Sequence, residues 1–390
     1  MEIFDLALLL LGAKVGGTIF NKLRQPSLVG EILAGIVLGS MLGIVKSSPI
    51  VNATSQLGLM FLVLLTTLAI DWKKIENKAE MFSIIEIIMA LIIFLVTYFI
   101  GVFLNWNFYL RVVIAFALVQ SSLVIASRGL ASINKLGSPE GESIIGLQVI
   151  DDIAAILSVS ALSSFLQNSS IGLQPVVKLL FIIVGFIVVM NKTALRFIKI
   201  LVNYVQKYGM EEALLGITLV LSFLLATFTE QLGIASFLGI FLSGILFSKI
   251  PQANIISQKV KEVGESFFIP IFFATIGLSV NVAIAYNQMS FVIPFIIFAI
   301  SIKLIASSLP FTFFGYSLKE SIKIGSGMTS LSEISLIILS IGLSANILDV
   351  AMYSIMVVAF LIINMISPIL MAIIFKSDIK ISYKKRFLNF

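Results

Sequence analysis

The chain has 390 residues, of which 59% are hydrophobic and only 12% are charged, and its formal net charge is +6. Soluble proteins carry about 25% charged residues, so this composition excludes an ordinary water-soluble domain and a disordered chain. The chain contains neither cysteine nor histidine, which excludes disulfides, Cys/His zinc sites, haem ligation and a histidine pH switch. The composition predicts a polytopic membrane protein, for which no cofactor is expected.

Apolar segments bounded by charged residues, Pro or Gly follow one another along the chain and indicate membrane-spanning helices. The first is too long for a cleaved signal peptide. We predict an all-α protein with thirteen spans, at Ile3–Phe20, Leu28–Val45, Ser55–Ile70, Met81–Leu104, Leu110–Asn134, Glu142–Leu166, Pro175–Met190, Glu211–Thr229, Ile234–Phe247, Glu265–Ala285, Phe291–Phe314, Lys319–Leu343 and Val350–Phe375.

The distribution of basic residues predicts the orientation of these spans. Of the 26 Lys and Arg residues, 21 lie in loops or span ends on one side, three lie on the other side, and Lys14 and Lys303 lie inside spans. Basic residues concentrate on the cytoplasmic side of membrane proteins, so we expect the N-terminus outside and the C-terminus in the cytoplasm. The basic excess then faces anionic lipid, and nucleic-acid binding is not expected.

Thirteen spans divide into six, one and six, which predicts two repeats of inverted topology. We therefore predict one integral membrane domain over residues 1–390. Its parts are a first repeat at 1–166, a linker helix and loop at 167–210, a second repeat at 211–376, and a basic cytoplasmic tail at 377–390. The segment Gly35–Gly39 (GIVLG) resembles Gly239–Ser243 (GIFLS) 204 residues later, in keeping with such a repeat.

Small polar residues interrupt the fifth and twelfth spans at corresponding places of the two repeats. The interruptions are Gln120-Ser121-Ser122 and Gly325–Glu333 (GSGMTSLSE). Opened helix turns expose N–H and C=O groups, and a membrane tolerates these only in a protein interior or a water-filled cavity. Matched interruptions indicate broken helices at a binding site, although small residues also line ordinary helix contacts in membranes.

Two adjacent aspartates, Asp151 and Asp152, lie near the middle of the sixth span. A central Asp or Lys costs about 2.5–3.5 kcal/mol on insertion scales, so such residues usually have a function. Neighbouring side chains on a helix diverge by about 100°, so one aspartate can face a cavity while the other faces a helix. Lys303, deep in the eleventh span, offers an ionic partner. The remaining carboxylate could then bind a proton or a hard cation such as sodium.

Other charged residues inside the predicted spans include Glu333, Lys14, Glu31 and Glu86. Glu333 follows the second interruption, and we interpret it as a structural charge rather than as an ion ligand. Lys14, Glu31 and Glu86 lie nearer the ends of their spans, for which an interfacial or structural role is expected.

Three segments resemble the monovalent cation:proton antiporter superfamily, in its second branch. Residues 24–39 (RQPSLVGEILAGIVLG) resemble its opening motif. Ser121-Ser122, with Asp151-Asp152 thirty residues later, is similar to its ion-site pattern, and residues 268–280 are similar to its later signature. The resemblance runs essentially from end to end.

The resemblance implies an antiporter fold with crossed broken helices and no enzymatic activity. Asp152 would carry the ion and the proton, and Asp151 would pair with Lys303 and release it when the ion binds. Ser121 and Ser122 would help to bind the ion. The implied activity is electrogenic exchange of Na+ or Li+ for H+ across the cell membrane. The implied assembly is a homodimer, in which a core bundle of spans 4–6 and 11–13 moves against a dimerising bundle.

Three alternatives to sodium exchange follow from the same residues. Many relatives carry an arginine directly before the glutamate that corresponds to Glu333, whereas Ser332 stands here, so potassium/proton exchange remains an alternative. A cation channel usually builds its filter from oligomeric symmetry, which suits a single Asp-Asp site less well. An intramembrane aspartyl protease needs two facing carboxylates, and adjacent aspartates on one helix diverge.

Overall fold

The structure is a computed structural model that describes residues 2–23, 25–68, 78–168, 195–207, 213–232 and 236–376. Within these ranges every regular element is a helix. Eight of the described helices are long and apolar enough to cross a membrane. The prediction of an all-α, multi-span chain is thus confirmed for the described residues.

The described chain forms seventeen α-helices and two π-helical turns, at Val37–Met41 and Gly264–Phe268. In chain order the α-helices are α1 Glu2–Lys22, α2 Ser27–Ile36, α3 Pro49–Leu68, α4 Ala79–Phe103, α5 Phe108–Val119, α6 Leu123–Ser132, α7 Pro139–Asn168, α8 Leu195–Lys207, α9 Ala213–Gln231, α10 Ser236–Ser248, α11 Ala253–Val263, α12 Ile269–Leu278, α13 Val282–Asn287, α14 Met289–Phe313, α15 Leu318–Gly327, α16 Glu333–Ser344 and α17 Val350–Lys376.

Twelve of the predicted spans overlap these helices, and the seventh, Pro175–Met190, lies outside the described residues. The prediction for the tenth span was wrong at both ends. Its helix begins at Ala253 because the polar start of α11 continues through the π-helical turn into α12. It ends at Leu278, because the Asn281 side chain accepts the N–H of Ile284 and starts the separate helix α13.

The chain divides into two compact units. The first unit comprises Met1–Gly16, Gly30–Asp71 and Ile156–Leu278, and the second comprises Gly17–Val29, Trp72–Ala155 and Ser279–Phe390. The resemblance assigns spans 4–6 and 11–13 to the core bundle. The second unit contains the helices of spans 4, 5 and 11–13 and the part of span 6 up to Ala155, whereas the rest of span 6 belongs to the first unit. The two inverted repeats are a different division of the chain, and their boundaries stay a prediction.

Two glycines allow α2 and α12 of the first unit to touch at their backbones. A Cβ atom on Gly35 would overlap the carbonyl oxygen of Ala274, and a Cβ atom on Gly277 would overlap the carbonyl oxygen of Ile32. Small residues permit this approach between membrane helices, whose association depends on close packing. The opening motif and the later signature of the sequence thus meet at this contact.

The two broken helices of the second unit meet at their breaks. The N–H of Ser332 donates to the carbonyl oxygen of Gln120 at 3.3 Å. The N–H of Ser122 donates to Ser330 Oγ at 3.3 Å, and Ser121 Oγ donates to the carbonyl oxygen of Met328 at 3.1 Å. Each break therefore satisfies backbone groups that the other exposes, and the prediction of crossed broken helices is confirmed.

A buried asparagine supports the second break. Asn364 of α17 accepts the N–H of Leu331 through Oδ1 at 2.7 Å and donates Nδ2 to the Leu331 carbonyl oxygen at 3.0 Å. The side chain is fully buried. One amide thus replaces the two backbone hydrogen bonds that Leu331 would make in a continuous helix.

The contact between α2 and α12 predicts a strong effect of Gly277→Leu. Forcing a side chain into packed backbone costs about 1–3 kcal/mol or more, so we expect a clear loss of thermal stability in detergent. The matched control is Gly216→Leu, because Gly216 is exposed on α9 and nothing lies within 4 Å of its Cβ position. Equal melting temperatures for both variants would contradict the contact.

The bonds to Leu331 predict that Asn364→Leu destabilises the protein. The substitution leaves a buried N–H and a buried C=O without partners, at roughly 1–3 kcal/mol for each group. Thermal unfolding of the purified variant measures this loss, with Asn287→Leu, at an exposed position, as the control. An Asn364→Leu variant as stable as the control would mean that the break does not depend on this amide.

Candidate functional site

Serine side chains start the second half of each broken helix. Ser122 accepts the N–H of Ile125 at 3.4 Å and begins α6, while Ser332 accepts the N–H of Ile334 at 3.2 Å and begins α16. Both serines have extended backbone, with ψ angles of 113° and 155°. Serine competes with the helical hydrogen-bond pattern in this way, which explains why helices restart at these residues.

Lys303 of α14 closes the end of α5. Its ammonium group is fully buried and donates to the carbonyl oxygens of Leu118 at 2.9 Å and of Val119 and Gln120 at 3.0 Å, and to Ser121 Oγ at 3.0 Å. The last carbonyls of a helix have no partners within it and form the negative end of its dipole. The Lys303 charge therefore stabilises the broken end of α5.

Asp151 of α7 contacts the same break from the other side. Its Oδ2 atom accepts the N–H of Ser121 at 2.6 Å, while its buried Oδ1 atom has no hydrogen-bond partner. In the described structure Asp151 and Lys303 are joined through Ser121 and not by a direct ion pair. Four oxygen atoms already surround the ammonium group, which has three N–H bonds to give. The direct pair that the resemblance implies stays a prediction.

Asp152 differs from Asp151 in its surroundings. It is 5% exposed, and the described residues give it neither a hydrogen bond nor an ion pair. Asp151 and Glu333 are its interacting charged neighbours. Because adjacent side chains on a helix diverge, Asp151 binds the backbone of the break, whereas the oxygens of Asp152 are available.

Glu333 lies where two helices begin. It occupies the first turn of α16, and its Oε1 atom is 3.5 Å from the hydroxyl of Ser122, the residue that begins α6. Arg128 interacts with it electrostatically. Negative charge is favourable at helix N-termini, which agrees with the predicted role as a structural charge.

The structure adds Gln148 to the site, which sequence analysis missed. The fully buried Gln148 side chain, one turn before Asp152 on α7, donates to the carbonyl oxygen of Gly327 at 3.3 Å. That carbonyl ends α15, so Gln148 serves the second broken helix much as Lys303 serves the first. Gln148 lies four residues before Asp152, and residues at this spacing share one face of a helix. This spacing could have identified Gln148 from the sequence.

The structure also places Glu86 of α4 in the site, where sequence analysis expected an interfacial or structural residue. Glu86 is 2% exposed and lies within hydrogen-bonding reach of Asp151. The buried face of α4 includes Phe82, Met89 and Ile93 as well as Glu86. These positions recur at the period of a helix, but apolar residues occupy the other faces of α4 as well, so only burial shows that Glu86 faces inward.

Side-chain and backbone oxygens of the site are of the kinds that bind a hard monovalent cation. Carboxylate, hydroxyl and carbonyl oxygens are the ligands that such ions prefer. Asp152, Ser121 and Ser122 supply the first two kinds of oxygen, and the breaks supply the third. Among the described residues no three acidic side chains are grouped as ligands for one metal ion, so any cation here would depend on this mixed set.

Comparisons with known proteins identify the family of the chain. The sodium/hydrogen exchanger, transmembrane family matches residues 7–376. The chain is 28% identical over 347 residues to the probable Na(+)/H(+) antiporter GerT of Bacillus cereus, covering 88% of this chain and 92% of that protein. It is 26% identical over 366 residues to the Na(+)/H(+)-K(+) antiporter GerN of the same species, covering 94% of each.

Among solved structures, the chain is similar to the sodium proton antiporter MjNhaP1 from Methanocaldococcus jannaschii at pH 8. The TM-score is 0.72 at 14% sequence identity, and the match covers 95% of this chain and 96% of that one. This likeness shows the antiporter fold. Because the family match extends from α1 to the end of α17, the chain belongs to the transmembrane sodium/hydrogen exchanger family of multi-pass membrane transporters.

Proposed function

We propose that the protein is a secondary antiporter that exchanges Na+, or Li+, for H+, and that Asp152 carries the two ions in turn. The observation that carries this proposal is the state of the Asp152 carboxylate. It is buried where the broken helices cross, and no described group neutralises it. The similarity to GerT and GerN, which are named as Na(+)/H(+) antiporters, supports the choice of ions.

Competition for one carboxylate explains how exchange is coupled. A buried charge without a partner is costly, so the empty, ionised site is unfavourable within the membrane. A proton or a sodium ion on Asp152 removes that cost, and the two cannot occupy the same oxygens together. If the site changes its side of access only when occupied, each sodium ion that leaves is replaced by protons.

Fixed charges around Asp152 keep the broken helices in place during this cycle. Lys303 neutralises the carbonyl end of α5, and Glu333 lies at the beginnings of α6 and α16. Ser121 and Ser122 offer hydroxyls to the bound ion. In the predicted cycle Asp151 takes Lys303 as its direct partner in one state and releases it when the ion binds. A proton given up by Lys303 in that step is the second proton per sodium ion that electrogenic exchange requires.

Potassium is the second candidate ion, because the relative GerN is named as an antiporter of K(+) as well as Na(+). We further propose that the protein acts as a homodimer in the cell membrane, with its N-terminus outside and its C-terminus in the cytoplasm. The excess of basic residues on one side supports this orientation.

The role of Asp152 predicts that Asp152→Asn abolishes exchange. Asparagine keeps the size of the side chain but neither releases a proton nor charges the site. Purified protein in liposomes with an imposed pH gradient is given Na+, Li+ or K+, and internal pH is followed. The wild type should show proton efflux with Na+ or Li+, and the variant should fall to the rate of empty liposomes.

The matched control for this assay is Asp349→Asn. Asp349 accepts the N–H of Met352 at the beginning of α17, a role that asparagine fills equally well. No cation-stimulated efflux from the wild type would contradict antiport, and efflux with K+ alone would establish the potassium alternative. An Asp152→Asn variant as active as the control would refute the assigned site.

Electrogenic exchange predicts that an imposed membrane potential changes the initial rate of the wild type. Lys303→Gln should make the rate independent of potential, because it removes the positive charge that is coupled to ion binding while an amide still donates to the end of α5. Lys319→Gln, at an exposed position of α15, is the control and should respond like the wild type. A wild type insensitive to potential would argue for electroneutral exchange.

A further inference from the structure

We propose that Glu86 is a third carboxyl residue of the ion site, and that a monovalent cation bridges its carboxyl group to Asp151 Oδ1. The cation is a proton or an alkali-metal ion. The proposal deepens the proposed function and rests on it for the nature of the ion, but the bridge itself follows from the groups that surround Glu86.

The oxygen atoms concerned are buried and lack protein donors. Both carboxyl oxygens of Glu86 and the Oδ1 atom of Asp151 are inaccessible and have no hydrogen-bond partner. The two side chains lie within hydrogen-bonding reach of each other. One turn before Glu86 on α4, Phe82 lies at Gly146 of α7, where a Cβ atom would overlap its ring. This contact between α4 and α7 lies one turn from Glu86 and five residues before Asp151, which agrees with the proximity of the two acids.

The neighbouring donors are already engaged. The ammonium group of Lys303 is surrounded by three carbonyl oxygens and Ser121 Oγ. The N–H of Ser121 is bonded to the other oxygen of Asp151. Asp152 is the remaining ionisable group that interacts with Glu86, and it is also a carboxyl group that supplies no positive charge.

The other helices packed against α4 bring no further positive charge to Glu86. From α5, Arg111 lies against Gly101 and stacks over the Tyr98 ring at 4.8 Å. Gly101 is fifteen residues beyond Glu86, or roughly 22 Å along the helix. From α14, Lys303 is the charged residue that faces Glu86.

Two carboxylates can only accept hydrogen bonds, so their close approach requires a positive charge between them. Unpaired buried carboxylates are too costly to persist in a membrane. A shared proton or a coordinated Na+ or Li+ satisfies the free oxygens of both residues at once. This position differs from that of Asp152, whose side chain diverges from the Asp151 side chain on the same helix.

The test removes Asp152 from the measurement. The full-length Asp152→Asn variant in liposomes is compared with Asp152→Asn/Glu86→Gln by two methods. Infrared spectra of the carboxylic acid C=O band in sodium-free buffer detect a bridging proton, and calorimetric titration with Na+ or Li+ detects a bridging metal ion. We expect the Asp152→Asn variant to give one of these signals and the double variant to lose it.

The matched control is Asp152→Asn/Glu80→Gln, because Glu80 is exposed on the first turn of the same helix; it should keep the signal. If the double variant does not fold, Asp152→Asn/Asp151→Asn replaces it and should shift the band or abolish the binding. Neither signal in Asp152→Asn, or a signal that survives both substitutions, would overturn the bridge. Neither method measures transport, so a wild type that fails to exchange ions would refute the proposed function and leave this result standing.

Discussion

The open end of α5 is the constraint on which the rest of the site depends. A helix that stops inside a membrane leaves carbonyl groups without partners, and no water is present to satisfy them. Lys303 resolves this problem by placing one ammonium group against three carbonyl oxygens and the Ser121 hydroxyl. The costly charge and the costly backbone break each remove the penalty of the other, which is why both persist in a chain of such low charge.

This arrangement divides the two aspartates between different tasks. The ammonium group of Lys303 is occupied by other oxygens, and Asp151 accepts the backbone N–H of Ser121 through Oδ2. The other carboxylate oxygen, Oδ1, has no hydrogen-bond partner. Asp152, on the next position of α7, keeps its oxygens available. The ion site thus contains more hydrogen-bond acceptors than donors. A positive charge from outside the chain is the missing component.

Sequence analysis predicted the Asp-Asp pair, the buried lysine and the two breaks because each violates the apolar pattern of a span, and such violations are conspicuous in a chain with 12% charge. It missed Gln148, Asn364 and the position of Glu86. Gln148 and Asn364 carry no charge, so a search of the spans for charged residues passes over them. The helical face of Glu86 is visible only when burial is compared along α4. The start of α11 was missed because its polar residues resemble a loop, although they belong to a continuous helix.

The bonds at the crossing also bear on the discrimination between ions. Ser332 is bonded to Gln120, Ser330 to Ser122, and Leu331 to Asn364, so one break cannot widen without breaking bonds of the other. Hydrogen bonds within the protein therefore restrict how far the oxygens of the crossing can move to suit a bound ion. Oxygens held at restricted spacing replace the hydration shell best for the ion whose radius they fit, so the rigidity of this crossing would let ionic radius distinguish one cation from another.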